Sequence, residues 1–120
     1  MTDTTLQYMQ KDAVNAHIII TLWEIKNGVR SKLPHVEDCT RKEIIIYKHK
    51  TKESIIVPAD FYTDGTDSML DYWTQEGDID VAGSYGIQVY LEWMDGRTYT
   101  SKWGFTVEDN YADVNAENSI

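Results

Sequence analysis

The sequence predicts an all-β protein: an antiparallel β-sandwich of about seven short strands with polar arms at both ends. Three observations carry this. Thr, Tyr, Trp, Ile and Val dominate the ordered-looking stretches, and sustained 3.6-residue periodicity is absent. Residues 84–94 alternate strictly, with Tyr85, Ile87, Val89, Leu91 and Trp93 on one face and Gly86, Gln88, Tyr90, Glu92 and Met94 on the other. Short apolar runs recur at spacings of about 8 to 15 residues between turn signals, the rhythm of a sandwich rather than of strands alternating with helices. At 120 residues the chain is one domain. A chain of that length buries about two-thirds of the surface it exposes when unfolded.

Residues 1–13 are polar with isolated apolar points and read as an N-terminal arm; the sandwich is expected over 14–107. Residues 17–25 form the first strand, closed by the turn dipeptide Asn27-Gly28. Residues 29–42, with Pro34 and mixed polarity, read as a loop or a poor edge strand crossing the sandwich. Residues 43–49 make a strand around Ile44, Ile45, Ile46 and Tyr47, and the polar run 48–52 turns it into 54–57. Pro58 ends that strand because it has no N–H for a ladder. A turn at 63–67 precedes a short strand at 68–74. After the long strand, Asp95-Gly96 forms a tight hairpin turn. The alternation then resumes over 98–107, with Tyr99, Ser101, Trp103, Phe105 and Val107 on one face. The aromatics expected in the core are Trp23, Tyr85, Trp93, Tyr99, Trp103 and Phe105. Residues 108–120 form an acidic tail.

Lys and Arg total 11 against 20 Asp and Glu, a net charge of −9, so a nucleic acid or an anionic membrane surface would repel the chain. The charge is uneven: residues 1–60 carry nine Lys/Arg and eight Asp/Glu, whereas 61–120 carry two and twelve. The opening residues have neither a basic nor an apolar segment of a secretory signal, which predicts assembly in the cytoplasm. The most apolar run, 17–23, is far shorter than the roughly 20 residues a spanning helix needs. Cys39 is the single cysteine, so no internal disulfide can form.

No constellation for catalysis stands out, and no GxGxxG, P-loop or GxSxG motif calls for a cofactor. Asp60, Asp64, Asp67 and Asp71 surround Gly65 but miss the fixed offsets and closing Glu of a calcium loop, so they read as turn formers. The histidines, His17, His35 and His49, lack HxH or HxxxH spacing. Cys39 follows His35 by four residues, and a metal site there would need two further ligands supplied by the fold. The expectation is no catalytic, cofactor or metal site.

The segment 77–85, Gly-Asp-Ile-Asp-Val-Ala-Gly-Ser-Tyr, places a tyrosine at the start of the best strand behind an acidic turn. Immunoglobulin-like domains lock the corner between two strands in this way, the phenol bonding to upstream backbone. Asp80, Gly83 and Tyr85 are the expected corner residues, and Ile87 stands where an antibody domain keeps a disulfide cysteine.

Residues 72–85, 89–101 and 105–107 resemble the immunoglobulin-like domains of tailed-bacteriophage structural proteins and are similar to the N-terminal domain of the baseplate upper protein family. There a GD(L/I)D corner, an alternating strand, a DGR hairpin and a closing F-x-V strand follow one another. The resemblance implies a non-enzymatic virion component docking on a larger assembly, whether baseplate and tail, neck, or capsid decoration and head fibre. Its partners would be other phage structural proteins and copies of itself. The expected interface residues are Tyr90 and Met94, on the face opposite the core, with Leu6, Tyr8, Met9 and Tyr111 in the end segments. A second expectation uses the same aromatics to stack on sugar rings, making a glycan-binding adhesion module of the virion surface.

Overall fold

A computed structural model describes residues 3–4, 8–100 and 102–110, with the backbone alone at Asp3, Thr4, Tyr8 and Trp103. In chain order the strands are β1 (Asp3–Thr4), β2 (Tyr8–Gln10), β3 (His17–Thr21), β4 (Trp23–Lys26), β5 (Val29–Lys32), β6 (Arg41–Lys48), β7 (Glu53–Pro58), β8 (Asp60–Phe61), β9 (Met69–Trp73), β10 (Gly83–Trp93), β11 (Gly96–Tyr99) and β12 (Trp103–Glu108). Val36–Asp38 forms a single 3-10 turn.

One sheet runs β1-β3-β9-β8 and the other β2-β12-β10-β6-β7, with β11 pairing the far end of β10. Every pairing is antiparallel except β2 with β12, which is parallel. The architecture is an immunoglobulin-like sandwich. Alternation places Ile18 and Ile20 of β3 and Leu70 and Tyr72 of β9 on the inner face of the first sheet. Ile44, Ile46, Tyr85, Ile87, Val89, Leu91, Phe105 and Val107 face them from the second. Burial of each aliphatic side chain contributes about 1.5–3 kcal/mol, and this apolar layer takes the place of a disulfide between the sheets.

The structure departs from the expected elements in five places. Asp3–Thr4 and Tyr8–Gln10, expected as an arm, pair with β3 and β12, and Met9 is 5% exposed inside the core. The expected strand 17–25 breaks at Leu22, whose N–H donates to the Ser68 carbonyl and whose own carbonyl accepts from Leu33. Its continuation, β4, pairs among the described residues only with β5, a hairpin outside both sheets. Residues 29–32, expected as loop or edge, are the second strand of that hairpin. The last expected strand breaks after Tyr99. Thr100 keeps its N–H on the Val89 carbonyl at 2.9 Å, but its hydroxyl oxygen, in place of its carbonyl, accepts from the Val89 N–H, and the carbonyl accepts from the Gln88 side-chain amide. That break shifts the register, so Tyr99 lies 58% exposed instead of in the core, its ring tilted against that of Tyr90 at a centroid distance of 4.9 Å. Trp23 and Trp93 are half-buried.

Candidate metal centre

The loop between β5 and β6 lies at the end of the sandwich opposite the Tyr85 corner, because β10 starts at that corner and its other end, Trp93, reaches the loop. Three contacts fix the loop. Val36, fully buried, pins the 3-10 turn to the core. The Trp93 indole N–H donates to the His35 carbonyl at 2.7 Å, and the Ser68 hydroxyl donates to the Leu33 carbonyl at 2.5 Å. Gly65 packs directly against it: a Cβ there would stand 2.8 Å from the Glu37 Cα. His35 takes a left-handed conformation, φ 62°, that begins the turn.

The turn projects His35, Glu37 and Asp38 outward together. One ligand atom from each lies within 4.8 Å of the others, and the His35 Nδ1 is 3.6 Å from an Asp38 oxygen. Among the described residues this is the group of three or more His, Cys, Asp or Glu side chains that converges closely enough to hold an ion. All three are exposed, and His35 and Asp38 line a surface groove of about 560 Å³ with Pro34, Trp93, Met94 and Asp95. Cys39, weighed with His35 from the sequence, turns instead toward the core, and burial pushes its thiol above the ordinary value. With Cys39 turned away, the fold instead gathers Glu37 and Asp38 beside His35, three candidate ligands in all. The three residues stand close together in the sequence as His-x-Glu-Asp, but that pattern alone does not show that the turn brings their side chains together.

The expected turn aspartates do local work. Asp64 accepts from the Thr66 N–H at 3.0 Å and hydroxyl at 2.5 Å, which hold its carboxyl below the ordinary range. Asp67 accepts from the Met69 N–H at 3.0 Å and the Thr63 hydroxyl at 2.7 Å. Asp71 takes a 2.7 Å hydrogen bond with His17.

The corner is built as an anchor. The Tyr85 hydroxyl donates to the Val81 carbonyl at 2.7 Å and accepts from the Val81 N–H at 3.3 Å. Gly83 has φ 133°, a backbone conformation that side chains resist. Asp80 pairs with the buried Lys48 ammonium at 2.7 Å, and that ammonium also donates to the Gly77 carbonyl at 2.9 Å. Asp78, 7% exposed, accepts from the Tyr72 hydroxyl at 2.5 Å and the Gln75 N–H at 2.7 Å. Burial first, and Asp78 next, push the Tyr72 phenol far above its ordinary value, so it stays a donor.

Of the expected interface residues, Met94 is 96% exposed at the groove rim. Tyr90 is 8% exposed, not free for a partner: Tyr99 covers it, Arg41 lies over its ring, and its hydroxyl bonds to Glu92. Met9 belongs to the core. Tyr8 is described by its backbone, and Leu6 and Tyr111 lie outside the described residues.

The fold and its end loops define the class, an immunoglobulin-like all-β sandwich, and the comparisons agree. No protein-family model and no curated protein matches the chain. Among solved structures it is similar to CopC from Methylosinus trichosporium OB3b, with TM-score 0.53 and 16% identity over 90% of this chain and 91% of that one. This likeness overturns the expectation of a bacteriophage virion component, and with it the adhesion module of a virion surface, because the shared sandwich is that of CopC and not of a particle protein. Patterns such as Gly-Asp-Ile-Asp before Tyr85 and Asp-Gly at the hairpin also suit a tyrosine corner and a tight turn in themselves.

Proposed function

We propose that this protein is a non-catalytic binding protein for a divalent transition-metal ion, held by His35, Glu37 and Asp38. The observation that carries the reading is the convergence of one imidazole and two carboxylates within 4.8 Å on a turn fixed from three sides. A ligand set held by packing loses less conformational freedom on binding than one on a free loop. Imidazole with carboxylate suits zinc, nickel and copper, and at such a site the ordinary order of affinities favours Cu²⁺. Three protein ligands leave further positions to water. Protons compete with the metal for the imidazole nitrogen, so binding weakens on acidification.

Calorimetric titration tests this. The expected result is one equivalent of Cu²⁺ bound more tightly than Zn²⁺, with His35→Ala weakening Cu²⁺ binding by at least about tenfold, as loss of one of three ligands implies. Unchanged Cu²⁺ binding in His35→Ala, or preference for Ca²⁺, would contradict the reading.

A further inference from the structure

We propose that the β4–β5 hairpin docks on the outer face of the four-stranded sheet of a second copy of this chain. The hairpin belongs to neither sheet, and a lone two-stranded ribbon is marginal in water unless something covers it. Near its Asn27-Gly28 turn, Ile25 is 63% and Val29 65% exposed. The pairing of Ile25 with Arg30 and of Lys26 with Val29 puts these two apolar groups on opposite faces, each beside a cation. With Lys26, Arg30 and Lys32 against Glu24, the hairpin is positive in a chain of net charge −9.

The complementary surface lies in the same molecule. Residues 53–96 hold ten Asp and Glu and no Lys or Arg. Within that segment the outer face of the four-stranded sheet carries large exposed aromatics: Trp73, 48% exposed and stacked on His17 at 3.8 Å, and Tyr62, 43% exposed beside the same ring. Asp60 stands directly across from Asp71 on neighbouring strands. Asp71 is bonded to His17, so the exposed Asp60 carboxylate is the charge that this face offers an arriving ammonium or guanidinium. The apolar tip and the aromatic platform are both exposed within one chain, so the hairpin does not cover its own platform; a second copy can. Such a contact joins different surfaces of the two copies, and its small area makes it weak and dependent on concentration.

Sedimentation velocity with EDTA present, which removes metal bridging, reads this directly. From about 10 µM to about 1 mM protein at low salt, the average mass should rise with concentration, and about 0.5 M NaCl should return it to monomer. The double variant Lys26→Glu/Lys32→Glu and, separately, Asp60→Lys should stay monomeric, with circular dichroism confirming the sandwich. Mixing the two variants should restore association, because a hairpin of one sign meets a face of the other. A monomer at every concentration, association indifferent to these charge reversals, or no recovery in the mixture would each overturn the proposal. Metal binding at His35 is read separately by calorimetry, so either claim can fail without the other.

Discussion

Gly65 governs a loop to which it does not belong. Its φ of +92° is one that side chains resist, and a Cβ would collide with the Glu37 Cα at 2.8 Å and the Phe61 ring at 2.9 Å. Gly65→Ala should destabilise the fold by about 1–3 kcal/mol in chemical denaturation, as strain and overpacking together cost. It should also weaken metal binding by displacing Glu37; full stability with unchanged affinity would refute that linkage. The Lys48–Asp80 pair has a defined pH window. For Asp80, the Lys48 hydrogen bond leads in pulling the carboxyl below 3.8, so its contribution is present above that value and is lost as pH falls through the lower folded value. Burial alone would lower the Lys48 ammonium, but Asp80 outweighs it and raises it above 10.5. Its contribution is present below that value and is lost as pH rises through the higher folded one. Lys48→Met should therefore flatten both limbs of the stability curve followed by thermal melts at acid and alkaline pH; an unchanged acid limb would show that Asp80 titrates without its partner.

At the scale of elements, β10 is the spine: it pairs with β6, β11 and β12 and carries Tyr85, Ile87, Val89 and Leu91 into the core. The Tyr85 hydroxyl ties its start to Val81. Tyr85→Phe keeps the ring against Phe105 and removes only the hydroxyl, so a loss of about 0.5–1.5 kcal/mol is expected in urea unfolding. No loss would mean that the corner bond does not contribute. This strand was legible in the sequence because one of its faces is apolar over its whole length, and the corner because Gly83 and Tyr85 have few other uses. The break at Thr100 was not legible. A side-chain oxygen replacing a backbone partner leaves the alternation of the sequence intact while moving Tyr99 to the surface. The break at Leu22 was hidden for the same reason, since Leu22 stays buried while its backbone bonds to Ser68 and Leu33.

Across the whole molecule, the two ends of the sandwich divide the work. One end is a closed corner of satisfied hydrogen bonds around Tyr85, Asp80 and Lys48; the other presents His35, Glu37 and Asp38 on a loop held by Trp93, Ser68 and Gly65. Sequence reading named Asp80, Gly83 and Tyr85 of the first because they are nearly contiguous, but not Lys48, which β6 brings in from 32 residues away. It missed the second because the supports of the loop come from residues 65, 68 and 93, which no local pattern connects to position 35. A substoichiometric Cu²⁺ titration followed by nuclear magnetic resonance tests the central claim most directly, since a paramagnetic ion broadens only nearby amides. Selective loss of signals from residues 35–39 and 93–95, with Gly65 packed against them, is the predicted outcome. Broadening centred on His17 or His49, or none at all, would contradict it.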